Sequence, residues 1–182
     1  MAIFRKSETQ ETPLVVSVTG VRLGQRVLVV AGRDRAIVHD VAARAGLTGR
    51  TLVLAAARDV EAVQSAAERA GVLVDVAPLL VPLPVAGESF DVALVDDTTS
   101  RPTGTDTPAL LHELHSALRP GGRVVIRLAA GGGPLARLFS RTEEPPAAAA
   151  TIAALNAAGF RASRVVAVHG GACYVEASRP GD

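Results

Sequence analysis

Gln25–Arg44 reads QRVLVVAGRDRAIVHDVAAR. Val27–Val30 is an unbroken apolar run, short enough for a strand covered on both faces. Gly32 interrupts the run, and Asp34 stands where a helix N-cap would stand. Ile37, Val38, Val41 and Ala45 then recur at helical spacing, and Gly46 stops the helix. A buried strand, a sharp turn and a helix form the opening unit of an open α/β sheet. Cofactors ordinarily dock on that turn.

Outward from this unit the chain alternates. Thr51–Ala55 reads as the second strand, with a helix over Asp59–Ala70 and Gly71 as its stop. Val72–Val76 is a short third strand. Ala77–Ser89 carries Pro78, Pro82 and Pro84, which fix φ and remove donors, so an extended loop is expected. Phe90–Val95 is the fourth strand, and a polar loop runs from Asp96 to Thr107. Asp106 or Thr107 caps the next helix, Pro108–Leu118, which buries Leu110, Leu111, Leu114 and Leu118. Pro120-Gly121-Gly122 ends it, and Arg123–Leu128 is the fifth strand. Ala130–Pro146 is rich in Gly and Pro, and Ala147–Ala158 is an Ala-rich helix stopped by Gly159. Ala162–Val168 and Ala172–Ala177 alternate like strands around a turn at His169-Gly170-Gly171. Leu14–Val18 is too brief to separate a short helix from an extra strand. Alternating strands and helices predict a mostly parallel sheet with right-handed crossovers, and the closing hairpin adds an antiparallel strand.

Composition narrows the function. The chain has 182 residues, 48% hydrophobic and only 3% aromatic. That suits one core built from Ala, Val and Leu, with few aromatic platforms for stacking bases. A net charge of +1 gives no basic field, so nucleic acid is not an expected partner. Cys173 is the single cysteine, so no intramolecular disulfide forms, which favours a cytoplasmic setting. The first residues lack an apolar signal segment, and no apolar run is long enough to span a membrane. The expected organisation is an N-terminal extension over 1–20 and one α/β domain over 21–182.

The ordered set of elements resembles the class I S-adenosylmethionine-dependent methyltransferase superfamily, in its small-molecule, ubiquinone-biosynthesis-like type. The residues that carry the resemblance are Phe90-Asp91 opening the fourth strand, Leu111–Ile126 (LHELHSALRPGGRVVI), Leu83-Pro84, and Ala158-Gly159-Phe160 before the closing hairpin. The resemblance spans about Val21 to Pro180. It implies a Rossmann-like, seven-stranded, mostly parallel sheet of order 3-2-1-4-5-7-6, an antiparallel last strand and helices on both faces. It also implies S-adenosylmethionine as cofactor, held at Ala31, Gly32, Arg33, Asp34, Ala55, Ala56, Leu79 and Asp96, and a small-molecule substrate.

The residues at those positions depart from the family's pattern. The acidic position of the first motif falls at Val29, and its glycine positions fall at Ala31, Arg33 and Arg35, with Gly32 out of phase. The ribose-binding acid after strand two falls at Ala55, followed by Ala56. The nearest acid, Asp59, reads as a helix cap. The polar contact after strand three falls near Pro78 or Leu79. A hydrogen bond to a charged group is worth roughly 1.5–3 kcal/mol. Loss of the ribose carboxylate alone then weakens binding by roughly tenfold to a hundredfold.

Gly32-Arg33-Asp34-Arg35 reads either as an anion site at a helix N-terminus or as a solvated turn capped by Asp34. Asp96 and Asp97 follow strand four, where catalytic groups gather. They are the candidate catalytic carboxylates, or a hydrated loop start. His112 and His115 share a helix face without further metal ligands in sequence, and read as a solvated face. Cys173 reads as a buried inert thiol. No Gly-x-Ser-x-Gly elbow, phosphate-binding P-loop or Gly-x-Gly-x-x-Gly fingerprint occurs. Two functions are left: a methyltransferase with drifted cofactor contacts, or a non-catalytic module of the same fold that binds a protein partner or another ligand. A homodimer is compatible with either.

Overall fold

The computed structural model of the chain describes residues 13–30, 34–97, 107–129 and 146–181. Seven strands form one sheet: β1 (Arg26–Val30), β2 (Arg50–Ala55), β3 (Asp75–Pro78), β4 (Phe90–Asp97), β5 (Leu118–Ala129), β6 (Arg161–His169) and β7 (Ala172–Ser178). Their order is β3-β2-β1-β4-β5-β7-β6. β7 runs antiparallel to β5 and β6, and the other pairings are parallel. This is the topology that the resemblance implies. The helices are α1 (Leu14–Thr19), α2 (Arg35–Ala45), α3 (Val60–Ala70, preceded by a 3₁₀ turn at Ala57–Asp59), α4 (Thr107–Ala117) and α5 (Pro146–Ala157).

Side chains alternate across each strand, so the sheet has two apolar faces. Val27, Val29, Val53, Ala55, Val92, Leu94 and Val125 meet α1, α2 and α3 through Val15, Val16, Ile37, Val41 and Val63. Leu28, Val30, Leu54, Val95, Ile126 and Leu128 meet α4 and α5 through Leu110, Leu111, Leu114 and Leu155, with Phe160 beside them. Leu114 is fully buried, a gain of roughly 1.5–3 kcal/mol over an exposed leucine.

The Phe90-Asp91 signature has a structural role. Asp91 accepts the Arg26 backbone N–H at 2.6 Å and pairs with Arg119 at 2.7 Å, which fixes the start of β1 against β4 and β5. Arg179 donates to the carbonyls of His115, Ser116 and Leu118, tying the end of β7 to the last turn of α4. Gly170 and Gly171 both take positive φ, as a tight antiparallel hairpin requires.

Several boundaries differ from the sequence expectation, each for a local reason. Leu14–Thr19 is helical, ending at Gly20 in the left-handed region. The third strand lies at Asp75–Pro78 rather than Val72–Val76, because the Val72 N–H caps α3 by donating to the Ala67 carbonyl. Asp59 precedes α3 without a side-chain capping bond. Its φ of −102° and ψ of −10° are helical, whereas a capping side chain needs extended backbone. Thr107 is the first residue of α4, not its cap, and Asp106 lies outside the described residues. β5 begins at Leu118, so the Pro120-Gly121-Gly122 turn is absorbed into a strand whose register against β4 shifts between Phe90 and Val92. A side chain at Gly122 would meet the Arg119 carbonyl at 2.8 Å. His115 is not simply solvated: its ring packs edge-on against Phe160 with centroids 5.0 Å apart, while His112 is exposed.

Candidate functional site

The carboxyl ends of β1, β2, β4 and β5 form the edge where ligands bind in such sheets. Val30 pairs with Leu54 on one side and Val95 on the other. Ala55 and Asp96 therefore stand one residue beyond its two partners. Ala31, Gly32 and Arg33, expected to contact the cofactor, lie outside the described residues.

Asp34 caps α2 as expected, accepting the N–H groups of Ala36 at 3.1 Å and Ile37 at 3.4 Å through Oδ1. Its other oxygen reaches Arg127 Nη1 at 3.2 Å. The same nitrogen lies 3.3 and 3.4 Å from the two oxygens of Asp96. Asp96 does not begin a hydrated loop: it is the penultimate residue of β4 and only 2% exposed. Burial of a carboxylate is costly without a partner, and Arg127 is one. Register places Asp96, Arg127 and Tyr174 side by side on three neighbouring strands. Burial alone would lower the Arg127 pKa. Asp96, Tyr174 and Asp34 outweigh it, and the net shift is upward. The guanidinium thus stays charged between two carboxylates.

Sequence reasoning missed Arg127. A signal for it exists: Arg123, Val125 and Arg127 alternate onto one face of a buried strand, and a cation there needs a carboxylate opposite. Asp97 turns to the other face, at the polar end of a cavity of about 190 Å³. Val95, Leu110, Leu114, Ile126, Leu128 and Ala154 supply most of its wall, and Thr107 and Thr151 add hydroxyls. Thr151 already donates to the Ala147 carbonyl at 2.8 Å. The volume suits a single ring or a short aliphatic chain, being close to that of apolar cavities of about 150 Å³ that accept benzene.

The β2 end is different. Ala55 is fully buried on the α2–α3 face, and its carbonyl accepts the Leu79 N–H at 2.7 Å. Leu79 packs on the opposite face, against the α4–α5 core. Ala56 is half-buried at the start of the 3₁₀ turn. The structure thus brings Ala55, Ala56 and Leu79 together, and it brings Asp34, Asp96 and Asp97 to the neighbouring strand ends. It gives the first group no side-chain hydrogen-bonding capacity. Among the described residues no cluster of His, Cys, Asp and Glu could hold a metal ion, and no helix is long and apolar enough to cross a membrane. Cys173 is buried in β7.

No family model matches the chain, and no curated protein matches it in sequence. Solved structures do match in fold. A methyltransferase dependent on S-adenosylmethionine from Aquifex aeolicus aligns with a TM-score of 0.75 at 19% identity, over 91% of this chain and 87% of that one. A chain from the complex between the Haloferax volcanii Trm112 methyltransferase activator and a protein described as a putative methyltransferase aligns at 0.70 with 13% identity over 92% of this chain and 87% of that one. The cyclase SpnF aligns at 0.66 with 16% identity over 94% and 80%, so one fold carries more than one reaction. The shared strand order, the antiparallel β7 and these alignments give the chain the Rossmann-like fold of the class I S-adenosylmethionine-dependent methyltransferases.

Proposed function

We propose that this protein is an S-adenosylmethionine-dependent methyltransferase-like protein acting on a small molecule, with cofactor binding weakened at the ribose end. The observation that carries this reading is the contrast at the carboxyl edge. Acidic side chains stand at Asp34, Asp96 and Asp97, and none stands at Ala55 or Ala56. A carboxylate is the side chain that suits a sulfonium, which is a cation. The β2 end offers a ribose no carboxylate, so the residues fit one part of the cofactor and not the other.

When bound, the cofactor supplies an electrophilic methyl group. This chain's own residues would hold the acceptor in the α4–α5 cavity, away from water. Asp97, at the polar end of that cavity, would take the proton the acceptor gives up. Orientation would supply most of the acceleration.

Calorimetric titration with S-adenosylmethionine and S-adenosylhomocysteine tests the proposal. We expect saturable binding of both, weaker than micromolar. Micromolar binding would overturn the weakened site. A second reading, a non-catalytic module that binds another ligand or a protein partner, is favoured by Arg127 engaging both oxygens of Asp96. The absence of heat at millimolar ligand would select it.

A further inference from the structure

At the opposite end of the sheet, Arg22, Arg44 and Arg123 converge on an open cavity of about 260 Å³ beside α1. Arg123 Nη2 donates to the Gly20 carbonyl at 2.8 Å, and Arg44 Nε donates to the Val21 carbonyl at 3.2 Å. Two consecutive carbonyls therefore hold two guanidinium groups in place, each through one nitrogen. A guanidinium has five N–H donors, so most of its capacity is still directed elsewhere. Gly20 is part of this arrangement. Its φ of +55° suits glycine, and a Cβ there would lie 2.8 Å from Arg123 Nη2. Among the described residues the nearest carboxylate to these cations is Glu176, 3.9 Å from Arg123 Nη1 and also 3.4 Å from Arg164. Neither Arg22 nor Arg44 pairs with a carboxylate among the described residues. Three cations facing one shared carboxylate leave room for a dianion. Arginine forks match phosphate oxygens in pairs, and their tethering lowers the ordering cost of binding.

We propose that Arg22, Arg44 and Arg123 form a binding site for a small phosphate-bearing molecule, separate from the carboxyl-edge cavity. Arg123 and Arg127 lie four residues apart on β5, or about 13 Å, so the two sites are distinct. The cavity is open, so binding needs no prior opening and is weakened by salt.

The test is calorimetric titration of the full chain with inorganic phosphate and with pyrophosphate at low ionic strength. Saturable one-to-one binding is expected, tighter for pyrophosphate. Arg22→Ala and Arg44→Met should each weaken it by about tenfold, the loss of one charge-assisted contact. Ser17→Glu is the control for folding, since Ser17 is an exposed residue of α1 lining the cavity. It should abolish binding while leaving the melting temperature unchanged. Asp97→Ala should leave pyrophosphate binding unaltered. Absence of saturable binding overturns the proposal, as does a Ser17→Glu variant that binds like the parent. Retention on phosphatidic-acid vesicles without pyrophosphate binding would assign the arginines to a lipid surface and also overturn it.

Discussion

Arg127 and Arg123 sit on one face of one strand, and their surroundings are opposite. Arg127 lies between two carboxylates, one of them 2% exposed, at the carboxyl end of the sheet. Arg123 is held by a backbone carbonyl at the amino end, with one carboxylate 3.9 Å away. A carbonyl fixes a guanidinium without cancelling its charge, whereas a pair of carboxylates cancels it. The first cation is therefore a strut between α2, β4 and β5, and the second keeps its field for solvent or a ligand.

The sharpest way to break this comparison is Arg127→Ala. Removing one partner of a buried ion pair costs about 3–5 kcal/mol, and roughly 2–4 kcal/mol is expected here because Arg127 is 21% exposed. Urea unfolding measures it, and a loss below about 1 kcal/mol would show that the pair is not a strut. The double change Arg127→Met with Asp96→Leu should recover most of that loss, since apolar residues of similar volume replace buried pairs well. At the amino end, Arg22→Ala should change stability by less than about 0.5 kcal/mol, as exposed substitutions do.

A next test concerns the carboxyl edge alone. Ala55 faces the α2–α3 core, so Ala55→Asp would bury an unpaired carboxylate and destabilise the fold by about 2–3 kcal/mol without improving cofactor binding. Ala56 is half-buried at the strand end, and Ala56→Asp should raise S-adenosylmethionine affinity by about tenfold. Equal affinities in the two variants would show that the ribose end is lost for another reason.

The smallest effect is a pH response at the amino end. Burial lowers the His115 pKa below the ordinary histidine value, and Arg179, His112 and Arg161 add to the shift. The unfolded chain then binds a proton more readily than the folded one. Stability is full above the ordinary histidine value of 6.5 and declines as pH falls below it, flattening once the lowered folded value is passed. His115→Gln should flatten the melting temperature between pH 7 and pH 5, a range set by that ordinary value. An unchanged slope would mean that other groups cause it.

Much of the fold is legible from single residues. Asp34 caps α2 at the position its place after the apolar run requires, and Gly170-Gly171 makes the hairpin that reverses β7. The third strand is misplaced because Val72 has strand propensity but serves as a helix cap, a choice made by the preceding helix. The site is less legible. Asp96 and Asp97 look equivalent in sequence and both border the cavity, yet the alternation of an extended β4 places only the Asp96 side chain on the face of Arg127. A loop expected from polarity becomes strand because β5 continues alongside and pairs Asp96 with Arg127 and Asp97 with Leu128.

The sequence by itself determined the order of strands and helices, the antiparallel ending and the absence of an acid after β2. These depend on local pattern and on residue identity. Only the tertiary structure decided which charges meet. Asp34, Asp96 and Arg127 come from the start of α2, β4 and β5, and Arg22, Arg44 and Arg123 from the turn before β1, the last turn of α2 and the start of β5. Ion pairing falls off within a few ångströms, and no local pattern encodes distances across 93 or 103 positions of chain.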